Sequence, residues 1–283
     1  MIRSYTEPRG PSPTRPLPNT GSAGKLMYPA MDQDVNQNLE GFNVTLFLTE
    51  TVGITAVLLM AIWISVYRGG YAWTSSPDLE FNWHPLLMTI GMIFMYGNGI
   101  LVYRVFRGRR KRKLKIGHAF IHLMVFVLAV IALQAVFDSH NLKVPPTPNL
   151  YSLHSWIGLI AVILFSCQWV SGLVSFLYPG LHVSLRASYL PVHTFFGIGG
   201  FLSSVTAALL GLLEKAHFSV QVYQDLPTEG LLVNFIGMAI VLFTVLVMFL
   251  VTTPRFRRLA TTEDDLLLQE DSQHKMLLPH HWD

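Results

Sequence analysis

The sequence predicts an all-α membrane protein of six transmembrane helices. Three observations carry that expectation. Of 283 residues, 51% are apolar types and 13% are charged, against roughly 25% charged in ordinary soluble chains. The mean hydropathy is +0.42. The apolar residues also fall in six long runs, at roughly 44–67, 84–105, 117–138, 153–177, 190–213 and 230–253. Each run supplies the about 20 residues that a helix needs to cross the hydrocarbon core, which excludes a single soluble core.

Taken in order, residues 1–42 are rich in Pro, Ser, Gly and Asn and show no helical period. This composition cannot bury enough apolar surface to order itself, so a disordered tail is expected. It lacks a basic stretch leading into an apolar run with a cleavage site, so the first span reads as an uncleaved anchor. The last five runs hold no Asp, Glu or Lys between their ends; Glu50 is the acid of the first. Residues 259–283 form a polar tail containing Glu263-Asp-Asp-Leu-Leu-Leu268, an acidic dileucine pattern.

Orientation follows from Lys and Arg in short loops. Between Arg104 and Lys115 there are eight basic residues and no acid. Arg186 and the trio Arg255, Arg257 and Arg258 fall on the same side of a six-span chain. That side is expected to be cytosolic, with both termini, and the sequon Asn43-Val-Thr45 beside it should stay unglycosylated. A basic run between two spans reads as a topology signal with an anion-binding capacity, not as a nucleic-acid surface.

Four histidines carry the chemistry. His84, His118, His154 and His193 each stand near the start of a span, at intervals of 34, 36 and 39 residues. Successive spans run antiparallel, so His84 pairs with His154 on the non-cytoplasmic side and His118 with His193 on the cytoplasmic side. An imidazole inside a membrane is costly unless satisfied. Two at equal depth on neighbouring helices can supply both axial ligands of a haem iron, and two such pairs would make an electron path across the bilayer. The lone Cys167 excludes thiolate-held iron–sulfur clusters and covalent CxxCH haem attachment. His122 lies one turn after His118 and is an alternative ligand on the same face. Gly91, Gly158 and Gly197 share helix faces with His84, His154 and His193 and leave room for a flat macrocycle, or simply allow close helix packing. A metal or haem carrier is the competing use of such histidines, but midplane acids that would hold a dication are lacking.

The strings Phe81-Asn-Trp-His-Pro85, Leu101-Val-Tyr-Arg104, Leu150-Tyr-Ser-Leu-His-Ser-Trp156, Ser184-Leu-Arg186 and Pro191-Val-His193 resemble the animal cytochrome b561 family over roughly residues 44–258. The resemblance implies two bis-histidine haem b groups in a four-helix core, His84 with His154 and His118 with His193. It implies that cytosolic ascorbate gives electrons that cross to an acceptor, Fe(III) or monodehydroascorbate, and it implies a homodimer. Lys111, Lys115 and Arg186 match the family's ascorbate-binding positions; Arg104 is expected near a haem propionate. His140 and Tyr151 match residues of the outer substrate site. Cys167-Gln-Trp169 is similar to the lysosomal, iron-reducing branch, which with the dileucine pattern points to a late endosomal or lysosomal membrane; the plasma membrane and secretory vesicles are the other expected locations. Val66 stands where one iron-reducing member has a histidine, so both acceptors remain open.

Overall fold

A computed structural model describes residues 37–259; the dileucine pattern and most of the N-terminal tail lie outside them. Every regular element among the described residues is helical. Six helices are long and apolar enough to cross a membrane: α1 (Phe42–Tyr67), α2 (Pro77–Val105), α3 (Lys111–Asn141), α4 (Leu153–Phe176), α5 (Val183–Ser219) and α6 (Thr228–Thr252). All six expected spans are present. The helices run past the apolar stretches, most of all α5, which carries Arg186 at one end and Glu214, Lys215 and His217 at the other. Residues expected in loops are thus held on helical registers.

Helices α2, α3, α4 and α5 pack in a closed ring, α2 on α3, α3 on α4, α4 on α5 and α5 back on α2. Helix α1 packs mainly on α6 outside that ring. The core is apolar and aromatic, with Trp63, Phe201, Phe243, Leu101 and Ile236 fully buried. Polar groups lock the ends. On one face Arg104 donates to the carbonyl oxygens of Val251 and Thr253, and Gln37 donates to those of Arg255 and Arg257. Both ends of the described chain therefore meet on this face, which also carries the basic run and is called the basic face below. On the far face Glu229 accepts from Trp63 Nε1 at 2.8 Å and pairs with Arg68 at 2.6 Å. Arg68 also donates to the Ser219 carbonyl, which joins the ends of α1, α5 and α6.

The start of α4 shows how a motif builds geometry. Ser152 and Ser155 form a capping box, each side chain meeting the other's backbone N–H, at 3.3 and 3.2 Å. This satisfies donors that the first helical turn leaves open. Trp156 Nε1 closes the preceding turn on the Leu150 carbonyl at 2.8 Å. His154, between the two serines, is thereby fixed in direction.

Candidate functional site

Two histidine clusters sit at opposite ends of the four-helix ring. At the far face, His84 and His154 have ring centroids 6.1 Å apart with planes at 86°. Each ring is oriented by its own backbone bond. His84 Nδ1 meets the Ala132 carbonyl of α3 at 3.2 Å, and His154 Nδ1 meets the Ala207 carbonyl of α5 at 2.8 Å. A carbonyl only accepts, so Nδ1 carries the proton and Nε2 keeps its lone pair. Metal-binding histidines are commonly set up this way. The position of His84 is fixed by its motif neighbours: Asn82, 2% exposed, donates to the Arg68 and Gly70 carbonyls, and Trp83 donates to that of Ala72.

Both rings line a cavity of about 410 Å³ that also reaches His140, Tyr151, Lys215 and Phe81, within the about 300–1,000 Å³ of small-molecule sites. His140 Nδ1 lies 3.0 Å from Asn149 Oδ1, and Asn149 donates to Asn141 Oδ1 at 2.9 Å. The Phe81 ring stacks parallel to His140 with centroids 6.5 Å apart. Lys215 Nζ stands 4.2 Å over the same Phe81 ring, a cation–π contact. Burial first, then the neighbouring Glu214 carboxylate, raises the Tyr151 phenol above its ordinary value, so it is a neutral donor at physiological pH. The structure thus brings His84, His154, His140 and Tyr151 into one chamber. Lys215 belongs to it too, a residue the sequence reading left in a loop.

At the basic face, His118 and His193 have ring centroids 6.3 Å apart with planes at 71°. His118 Nδ1 meets the Gly99 carbonyl at 2.8 Å. Among the described residues, His193 Nδ1 is buried without a partner; its ring packs on Phe176 and Tyr189. His122, 6% exposed, lies 4.4 Å from the His118 ring and against Tyr96 and Phe165, and its Nδ1 also lacks a partner. Lys111 and Lys115 precede His118 by seven and three residues on α3, and Arg186 precedes His193 by seven on α5, so all three share the faces of these histidines. Lys115 Nζ donates to the Phe176 carbonyl at 2.9 Å. Both helices begin here, so their positive dipole ends add to the cations. Arg104, expected at a propionate, finds its partners in the α6 carbonyls already described.

Three glycines unmarked by the sequence reading face the rings. A Cβ on Gly211 would lie 2.6 Å from the His154 ring, one on Gly172 2.9 Å from that of His193, and one on Gly99 2.6 Å from that of His122. The expected glycines divide differently. Gly197 has open space at its Cβ position, and Gly158 meets only Ala207 at 3.7 Å. Gly91 is closed against Leu128 at 3.2 Å, because the π-helical turn at Thr89–Met95 shifts the register after His84.

The six long apolar helices and the paired histidines within them mark a multi-pass membrane protein. Residues 83–219 match the family described as eukaryotic cytochrome b561. The chain is 44% identical over 220 residues to the transmembrane ascorbate-dependent reductase CYB561 of Sus scrofa, covering 77% of this chain and 86% of that one. It is 43% identical to the Homo sapiens protein of the same name over the same shares. To the Homo sapiens lysosomal membrane ascorbate-dependent ferrireductase CYB561A3 it is 40% identical over 223 residues, 77% of this chain and 91% of the relative. The chain belongs to the cytochrome b561 family, whose named members here are ascorbate-dependent reductases, and membership implies haem b.

The residues fit such a group. Two imidazoles bound to one iron through nitrogens at about 2 Å, as for other metal–imidazole bonds, place their centroids about 6 Å apart, close to the 6.1 and 6.3 Å of the two pairs. The cavity beside His84 and His154 and the open space at Gly197 leave room near each.

Proposed function

We propose that the chain carries single electrons across a membrane, from ascorbate at the basic, cytosolic face to Fe(III) at the far face, as a ferric reductase of late endosomal or lysosomal membranes. His84 with His154, and His118 with His193, would each hold one haem b, in a chain working as a homodimer. Bound haem b supplies a one-electron couple at each site. Held by two imidazole donors, such a group would not favour oxygen binding. Ascorbate gives up one electron and a proton to become monodehydroascorbate, and Fe(III) becomes Fe(II).

The chain's residues have distinct tasks. Lys111, Lys115 and Arg186, with two helix N-termini, attract the ascorbate monoanion to the His118–His193 end. Backbone bonds at His84, His118 and His154 hold the Nδ1 proton and present Nε2. At the far mouth, Tyr151 and Lys215 are donors beside the His140 ring, suited to the oxygens of a chelated ferric ion. The observation that supports the reading most is the pair of matched histidine pairs at opposite ends of one ring. A second reading, monodehydroascorbate as acceptor, is favoured by the Lys215 cation over Phe81, which suits an organic anion.

Proteoliposomes loaded with ascorbate test this. Ferric citrate added outside is expected to be reduced, and more readily than monodehydroascorbate; the reverse preference selects the second reading. Loss of reduction when ascorbate and acceptor are on opposite sides would overturn both, and labile metal release without visible absorption would favour a carrier.

A further inference from the structure

The basic face holds a second concavity, away from the histidines. It is a groove of about 350 Å³ between the end of α2 and the start of α3. Val102, Phe106, Leu114, Gly117 and Ile121 form its apolar lining, and Arg109 and Lys113 are its two cations. We propose that this groove binds an anionic phospholipid of the surrounding leaflet, with an acyl chain along the apolar wall and the headgroup phosphate between Arg109 and Lys113.

Register separates this groove from the ascorbate residues. On α3, Lys113, Gly117 and Ile121 succeed each other at intervals of four and form one stripe. Lys111, Lys115, His118 and His122 form another. The groove therefore opens on a different side of α3 from the inner histidine pair.

The chemistry changes with depth as a lipid's does. Lys113 is the third residue of α3, where the helix enters the membrane, and Ile121 lies eight residues on, about 12 Å deeper at 1.5 Å per residue. Cations thus stand at headgroup level and apolar side chains at acyl level. A soluble anion would need only the cations. Gly117 leaves the floor open, since a Cβ there would meet nothing within 4 Å beyond its own stretch of helix, and Phe106 is 53% exposed as a wall.

The groove is also pre-formed and its charges are available. The turn at its rim is closed by Phe106 N–H to the Val102 carbonyl at 3.0 Å and Arg109 N–H to the Phe106 carbonyl at 2.9 Å. Arg107 stacks on Phe42 at 4.4 Å, and Arg258 reaches the Arg109 carbonyl. Arg109 and Lys113 are both exposed, and no ion pair engages either side chain among the described residues. Basic grooves at the ends of membrane helices attract anionic headgroups, and each surface cation adds about fivefold in affinity.

The test uses the full chain, purified from bilayers of phosphatidylcholine with phosphatidylserine, with retained lipid counted by native mass spectrometry. The wild type is expected to retain phosphatidylserine over phosphatidylcholine by about twenty-fivefold for two cations. Arg109→Gln with Lys113→Gln, at exposed positions and with six other basic residues of the run kept, should abolish the preference. Gly117→Leu should displace lipid while leaving the charges in place. Equal retention of both lipids by the wild type would overturn the proposal. So would an unchanged preference in the double variant, or complete displacement by millimolar inorganic phosphate, which would make this a simple anion site. None of these readouts depends on electron transfer, so the proposal and the redox reading can fail separately.

Discussion

The two ends of the four-helix ring solve one problem in different ways. At the far face both histidine rings are tied to carbonyls of neighbouring helices, and they line a cavity with a tyrosine and a half-buried lysine. At the basic face, among the described residues, only His118 is tied. His193 and the extra histidine, His122, keep unpartnered nitrogens, and the surroundings are helix N-termini and cations. The far end is a pocket that offers hydrogen-bond donors beside its histidines. The basic end is an electrostatic surface for collecting an anion. A membrane reductase that takes electrons from a small anion needs both.

The largest expected effect comes from the ligands. His154→Ala or His84→Ala should halve the haem content and stop transfer across the membrane, while the basic-face group still reduces with ascorbate. His193→Ala should also halve the haem content, leaving a far-face group that ascorbate at the basic face no longer reduces. The glycine positions sharpen the comparison. Gly211→Ala should push on His154 and weaken the far-face site only, and Gly172→Ala should push on His193 and weaken the basic-face site only, each overpacking costing about 1–3 kcal/mol. Thermal loss of the visible spectrum in each variant checks this. Lys115→Ala and Arg186→Ala should each raise the ascorbate concentration for half-reduction by about tenfold, the worth of one charge-assisted contact; unchanged titrations in both would leave them as topology signals. The smallest effect is expected from His122→Phe, which should keep full haem content and alter only the potential of the basic-face group. Loss of that haem would make His122 the ligand in place of His118.

Much of this was legible in the sequence. Long apolar runs can only be helices, so the six spans follow from composition. Antiparallel alternation then pairs His84 with His154 and His118 with His193, and the rings do meet across those pairs. Contacts between helices were not legible. Gly211 and Gly172 each lie 18 residues after the histidine of their own helix. In an antiparallel hairpin, that spacing sets each against the histidine of the other helix. The i+4 rule sees only one helix, so it selected Gly158 and Gly197 and missed these. Gly91 was misplaced because a π-helical turn cannot be read from apolar periodicity. Lys215 was missed because α5 continues beyond its apolar run, so a residue assigned to a loop is placed over Phe81 by helical register. Arg104 shows the opposite limit: its charge was obvious, but its carbonyl partners lie about 150 residues away in the chain.

The most direct test of the central claim is haem and chain quantified on one purified sample, for the wild type and for His154→Ala. Two haems per chain with low-spin spectra reducible by ascorbate are expected, falling to one in the variant. A colourless wild type from haem-supplied cells, or a variant that keeps both haems, would contradict it.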